Sequence, residues 1–146
     1  MDEIHLPEVA RIERESFSVP WSEQAFEDTL PMENVIFYIA AVGEEVAGYC
    51  GIYLAADEGE ITNVAVAAAY RRHKIAEMLL QETMAKAREK GAERIFLEVR
   101  SRNDPAIKLY LKSGFRQIGM RKNYYTAPDD DALVMVYDSA DYNSIG

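Results

Sequence analysis

Apolar residues return at Leu6, Val9, Ala10, Ile12 and Phe17 with charges between them, the spacing of an amphipathic helix over residues 6–17. Pro20-Trp21-Ser22 interrupts it, and Ser22 is placed to cap a second helix over residues 23–30. The pattern then changes period. Residues 35–42 are a β-rich run, Gly43-Glu44 a turn, and residues 45–54 a second strand, which together predict a hairpin. Asp57 to Gly59 turns the chain again before a third strand over residues 60–66. Residues 75–90 predict a long helix, with Ile75, Met78, Leu79, Thr83 and Ala87 near one face and Gly91 at its stop. A strand follows over residues 93–99, and Asp104-Pro105 opens a short helix with proline at its start. Residues 115–124 and 132–137 predict a last strand pair. The order is helices, three-strand meander, helix, strand, helix, hairpin. It predicts an α/β (α+β) sheet with helices on its faces.

Composition narrows the setting. A chain of 146 residues, 49% hydrophobic and 28% charged, fits one domain over residues 1–146. No apolar run approaches the ~20 residues of a membrane helix, so no membrane partner is expected. Met1-Asp2-Glu3-Ile4-His5 lacks both the basic start and the apolar stretch of a signal peptide. The single cysteine, Cys50, excludes an internal disulfide and favours a reducing, cytoplasmic setting; it sits in an apolar run and reads as core. A net charge of −9 argues against nucleic acid as partner and is compatible with a basic peptide or protein substrate.

The chemistry concentrates between Leu97 and Phe115. A buried strand ends in Glu98-Val99-Arg100, a polar turn carries Asn103, a short helix carries Tyr110, and Gly114 stops it. A carboxylate, an amide and a phenol gathered at one strand end suit acid/base work on a ligand at that edge. Taken alone, Glu98 reads first as a strand end paired with Arg100, Tyr110 could pack through its ring, and Asn103 could be a turn or cap residue. A second site lies at Tyr70-Arg71-Arg72-His73-Lys74-Ile75-Ala76, where the third strand meets the long helix. Unpaired amides and the dipole favour an anion at a helix N-terminus, and basic residues crowd the same turn; a pyrophosphate fits there.

Asn63-Val64-Ala65-Val66, Tyr70-Arg71-Arg72-x-x-Ile75-Ala76, Leu97-Glu98-Val99-Arg100, Asn103, Leu109-Tyr110 and Gly114-Phe115 together resemble the GNAT-superfamily acetyltransferases. Phe17-Ser18-Val19-Pro20-Trp21-Ser22 and Arg121-Lys122-Asn123-Tyr124-Tyr125 bring the resemblance nearest to the bacterial ribosomal-protein-alanine N-acetyltransferases. It implies a mixed, mainly antiparallel sheet whose strands over 60–66 and 93–99 run parallel and splay at their C-terminal ends for acyl-CoA. By that resemblance acetyl-CoA is the co-substrate, and no metal is needed. Val64, Ala65 and Val66 would meet pantetheine. Arg71, Arg72, His73, Lys74, Ile75, Ala76 and Glu77 would surround the pyrophosphate, and Asn103 would bond the pantetheine arm. Glu98 would act as base on the acceptor ammonium and Tyr110 as acid toward the thiolate. Trp21, Tyr124 and Tyr125 would line the acceptor site. The acceptor implied is a protein N-terminus, from a ribosomal protein beginning with alanine. A GNAT acting on a small amine or lysine, and a non-catalytic acyl-CoA-binding module, are the alternatives.

Two positions depart from the family pattern. Lys74 stands where the family has a glycine whose missing side chain lets the backbone approach phosphate. The residues before Leu6 are too few for the family's opening strand. The run over 35–42 is then expected at an incomplete sheet edge, with self-association through it.

Overall fold

A meander of β1 (Val35–Val42), β2 (Glu45–Ala55) and β3 (Glu58–Val66) makes one half of the sheet. The other half is β4 (Arg94–Arg100), β5 (Arg116–Tyr125) and β6 (Asp130–Asp138). Two helices, α1 (Leu6–Ser16) and α2 (Glu23–Thr29), precede the meander; α3 (Ile75–Glu89) links the halves, and α4 (Asp104–Lys112) joins β4 to β5. In this computed structural model, which describes residues 1–71 and 74–140, the strand order is β1-β2-β3-β4-β6-β5. Every pairing is antiparallel except β3 with β4.

Each sheet face buries its own helices, as the alternating strands and amphipathic helices require. Ile75, Leu79, Leu80 and Met84 of α3 and Tyr110 of α4 pack with Cys50, Ile52, Ile95 and Leu97 on one face. Leu6, Val9 and Ile12 of α1 and Phe26 of α2 pack with Phe37, Tyr49 and Ala65 on the other. Met78, expected on the inner face of α3, is instead 57% exposed; Leu80 and Met84 take its place, so the buried stripe is rotated relative to the expected one.

Three local departures matter. The turn expected over 57–59 is tighter. Ala56 supplies the left-handed residue at φ 54°, and β3 already begins at Glu58. Residues Glu3–His5 form a short 3₁₀ turn rather than a strand, and β1 is an outer strand of the sheet. The Met1 ammonium donates to the Phe37 carbonyl at 3.1 Å and so covers part of β1. Within the β2–β3 ladder, Gly51 faces Asn63 but Ile52 faces Ile61, so Thr62 is an extra residue on β3. The bulge reverses the side-chain alternation. Ile61 joins the α3 face, whereas Ala65 joins the α1 face and Val64 and Val66 pack toward α3. Gly51 is demanded by this region, because a Cβ there would sit 2.3 Å from Phe37 Cε1.

Candidate active site

β3 and β4 share just three register pairs, Glu58 with Arg94, Gly59 with Ile95 and Glu60 with Phe96. Each strand continues beyond that point along its other neighbour, β3 to Val66 opposite Gly48 and β4 to Arg100 opposite Ala132. The two strands therefore diverge while staying extended. The facing backbone from Ile61 to Val66 is left open, an edge that a ligand bearing amide groups can complete as an added strand would. Pantetheine is such a ligand, so the opening fits the splay that Val64, Ala65 and Val66 are expected to line. Arg71 Nε donates to the Val66 carbonyl at 3.2 Å, which fixes the mouth of the opening.

The start of α3 faces the same end. Lys74 is its N-cap and makes no side-chain cap bond; the first intrahelical bond runs from Met78 N to Lys74 O at 3.1 Å. The amides of Ile75, Ala76 and Glu77 precede that bond and have no intrahelical acceptor, which suits an anion. Lys74 sits at φ 60°, ψ 20°, the left-handed region that glycine occupies without strain. A side-chain-bearing residue is thus held in a conformation suited to glycine. Arg72 and His73 lie outside the described residues. Glu77 is paired with Lys112 of α4 at 3.2 Å, across the two helices that flank the opening. Asn103 caps α4 by accepting the Ala106 amide at 3.3 Å through Oδ1, which leaves its Nδ2 for a ligand.

Glu98 stands on the diverging part of β4. Its partner is Arg121 of β5, with Nε 3.4 Å from Oε1, and not Arg100 as the sequence allowed. Strand alternation puts Glu98 and Arg100 on one side, but Arg100 is drawn off by carbonyl oxygens beyond β5. Oε2 of Glu98 is buried without a hydrogen-bond partner among the described residues. Tyr124 hydrogen-bonds the Glu98 carboxylate, and this, with desolvation and the nearby negative charge, raises its hydroxyl pKa. Tyr125 is pushed up to about 12, first by burial and then by the Glu98 charge. Tyr110 is 8% exposed, and burial chiefly raises its pKa, with Cys50 and Tyr125 adding to it. Its ring meets Phe115 edge-on at 5.9 Å. Tyr125 thus feels Glu98, and Tyr110 feels Tyr125. Tyr124 and Tyr125 lie within reach of the Glu98 charge, whereas Tyr110 packs with Leu97 and Val99 on the α3 face of β4.

Trp21 is not among that group. Its ring packs on Phe26 at 5.1 Å and Phe37 at 6.2 Å, making it a pillar of the α1–α2 loop. The loop is held from below by Glu13, a residue the sequence reading passed over. Glu13 is 2% exposed and accepts from Trp21 N at 3.3 Å, Asn63 Nδ2 at 3.2 Å and the Tyr49 hydroxyl. A signal was present: Leu6, Val9, Ala10 and Glu13 fall on one helical face, so a carboxylate among them must be buried and paired. Arg121 had no signal, because its reach to Glu98 depends on the irregular β5–β6 pairing that shifts register between Arg121 and Tyr125.

Residues 6–115 match the profile of the Acetyltransferase (GNAT) family, and the chain belongs to that family. Its enzyme class is acetyl-CoA-dependent N-acetyltransferase. It is 40% identical over 129 residues to a Bacillus subtilis protein assigned provisionally as a ribosomal protein bS18-alanine N-acetyltransferase, a match covering 87% of this chain and 85% of that one. The ribosomal protein bS18-alanine N-acetyltransferase of Escherichia coli K12 is 31% identical over 132 residues, covering 89% and 88%. The crystal structure of the Escherichia coli ribosomal-protein-S18-alanine N-acetyltransferase superposes with a TM-score of 0.87 at 28% identity, over 94% of this chain and 90% of that one.

Proposed function

We propose that this protein acetylates the N-terminal amine of a ribosomal protein beginning with alanine, in the cytoplasm. The observation that carries the reading is the placement of Glu98 on the diverging edge of β4, with a buried oxygen free and tyrosines around it. An acceptor ammonium can take the place of the Arg121 guanidinium, which is 60% exposed at its side chain. Glu98 removes the proton that keeps the amine from attacking. The amine then forms a bond to the thioester carbonyl carbon, and the carbon–sulfur bond breaks. A backbone N–H near Val66 meets the charge that gathers on the carbonyl oxygen. Tyr110 gives a proton to the departing thiolate and takes up the proton that the newly bonded nitrogen sheds; burial favours its neutral phenol before and after the step. The amides of Ile75, Ala76 and Glu77 hold the pyrophosphate, Asn103 Nδ2 bonds the pantetheine arm, and Tyr124 and Tyr125 wall the acceptor site.

Thiol release from acetyl-CoA tests this against three acceptors: a peptide beginning with alanine, the same peptide blocked at its N-terminus but carrying lysine, and a small amine. The reading requires turnover on the first and little on the others. Glu98→Gln should lower turnover roughly 10²–10⁴-fold with acetyl-CoA binding intact. Equal rates on the blocked peptide, or an unchanged rate in the variant, would remove it. Self-association through β1 is a further part of the proposal, since β1 is an outer strand with Ile36, Phe37, Tyr38 and Ile39 in one run. Light scattering showing a monomer at high concentration would end that part.

A further inference from the structure

The guanidinium of Arg100 makes three hydrogen bonds and lies over an aromatic ring. Nη1 donates to the Pro128 carbonyl at 2.8 Å; Nη2 donates to the Thr126 carbonyl and to Ser18 Oγ, both at 2.9 Å. Its central carbon stands 4.5 Å from the centroid of the Tyr125 ring. Ser18 Oγ itself reaches the Thr126 carbonyl at 3.5 Å, the longest of these bonds. One side chain on β4 therefore joins the loop between α1 and α2 to the turn between β5 and β6. These segments are far apart in sequence, and among the described residues no backbone–backbone bond joins them.

We propose that Arg100 is a positioning residue that sets the width of the acceptor slot, and through it the preference for a small first residue. The proposal rests on the reading of that region as the acceptor site. One wall of the slot is the loop bearing Ser18 and Val19; the other is the strand end bearing Tyr124 and Tyr125. Arg100 draws both toward the strand that carries Glu98, which lies two residues away. Its planar fork holds three acceptors and a ring at once. Lysine's three donors radiate from one nitrogen and it has no planar face, so it cannot span these partners and the ring at once, although it keeps the charge. Glu13 fixes the other end of the same loop by accepting from Trp21 N, so the slack left by an altered Arg100 appears at Ser18 and Val19.

The test compares wild type, Arg100→Lys and Ser18→Ala, using acetyl-CoA and peptides that differ only in their first residue: alanine, serine, leucine or phenylalanine. Wild type should favour alanine over leucine by kcat/KM at least about 10-fold, the scale on which a pocket senses added methylenes. Both variants should narrow that ratio about 5-fold, chiefly through a lower KM for the larger peptides relative to alanine. Acetyl-CoA affinity by calorimetry should stay within about twofold, because the fork makes no contact with the start of α3. A uniform fall in rate across all four peptides, with the ratio unchanged, overturns the proposal and leaves Arg100 a structural residue. So does a loss of acetyl-CoA affinity. If wild type acetylates no peptide of the set, the acceptor reading falls and takes this one with it. Ser18→Ala removes the hydroxyl's bonds to Arg100 and Thr126 and little volume, so it reports even if Arg100→Lys folds poorly.

Discussion

Replacing Glu13 by leucine tests whether the floor of the acceptor loop is built as described. Glu13 receives three donors, and two of them, Tyr49 at 0% exposure and Asn63 at 4%, have no water to turn to. Leaving a buried donor unpaired costs roughly 1–3 kcal/mol, so the two together approach ~4 kcal/mol. Part of that returns, because burial of the carboxylate is itself unfavourable, as the raised pKa of Glu13 records. The expected net loss is about 2–4 kcal/mol, a fall in Tm of roughly 5–15 °C for a chain of this size. Urea melts of Glu13→Leu, Tyr49→Phe and the double variant measure it. The double variant should recover at least ~1 kcal/mol relative to additivity, since no stranded hydroxyl remains. The pH dependence gives a second reading. Burial raises the folded pKa of Glu13 above its ordinary 4.5, so the folded state keeps a proton that the unfolded chain has released. The stabilisation is complete below 4.5 and is lost as pH rises through the folded pKa. Glu13→Gln should lack that slope, and its deficit relative to wild type should shrink as pH rises. A Glu13→Leu protein within about 1 kcal/mol of wild type, or strict additivity with Tyr49→Phe, refutes the network.

Lys74→Gly should stabilise the protein by roughly 0.5–1 kcal/mol, the left-handed strain less the extra freedom of an unfolded glycine; a lower Tm would contradict it. The same variant should bind CoA more tightly if the lysine crowds the pyrophosphate, and calorimetry at two salt levels separates crowding from charge attraction. Gly51→Ala should cost about 1–3 kcal/mol in urea, because the Phe37 ring must move aside; an unchanged melt would mean that the ring yields freely. Tyr110→Phe keeps the packing on Phe115 and should lose turnover, roughly 10²–10⁴-fold, far more than stability. Burial holds the Tyr110 hydroxyl above its ordinary value of 10, so wild-type activity should show no alkaline fall from this group below that pH. A fall there that Tyr110→Phe abolishes would contradict the assignment.

The element order was legible because each element carries its own period: α1 and α3 repeat every three or four residues, β1 and β2 are apolar runs cut by Gly43. Helices on both faces and the divergence of β3 from β4 were also anticipated, the second through family resemblance. The bulge at Thr62 was not, since an inserted residue leaves no mark on composition and shows itself as a change of face between Ile61 and Asn63. The rotated stripe of α3 escaped for a related reason: Met78 and Leu80 are both apolar and lie on different sides of the helix, so composition does not say which side meets the sheet. Within the site, Tyr124 and Tyr125 lie near Glu98, while the Trp21 ring packs on Phe26 and Phe37. The partners of Glu98 and Arg100 were exchanged relative to the simplest strand reading. Long guanidinium side chains find partners by tertiary geometry, and spacing along a strand does not encode that.

Three register pairs are all that stitch β3 to β4, so the sheet is two antiparallel leaves meeting at a short seam. A ligand lying between the leaves becomes the missing lath, and its binding energy adds directly to the resistance of that seam to opening. Hydrogen exchange should therefore be fast at those amides between Ile61 and Val66 that face the opening, and slow there when acetyl-CoA is present, while the amides bonded in the β2–β3 and β4–β6 ladders barely change. An acceptor that needs both leaves at fixed spacing would then come second, and an ordered kinetic sequence would follow from how few bonds hold the middle of the sheet together.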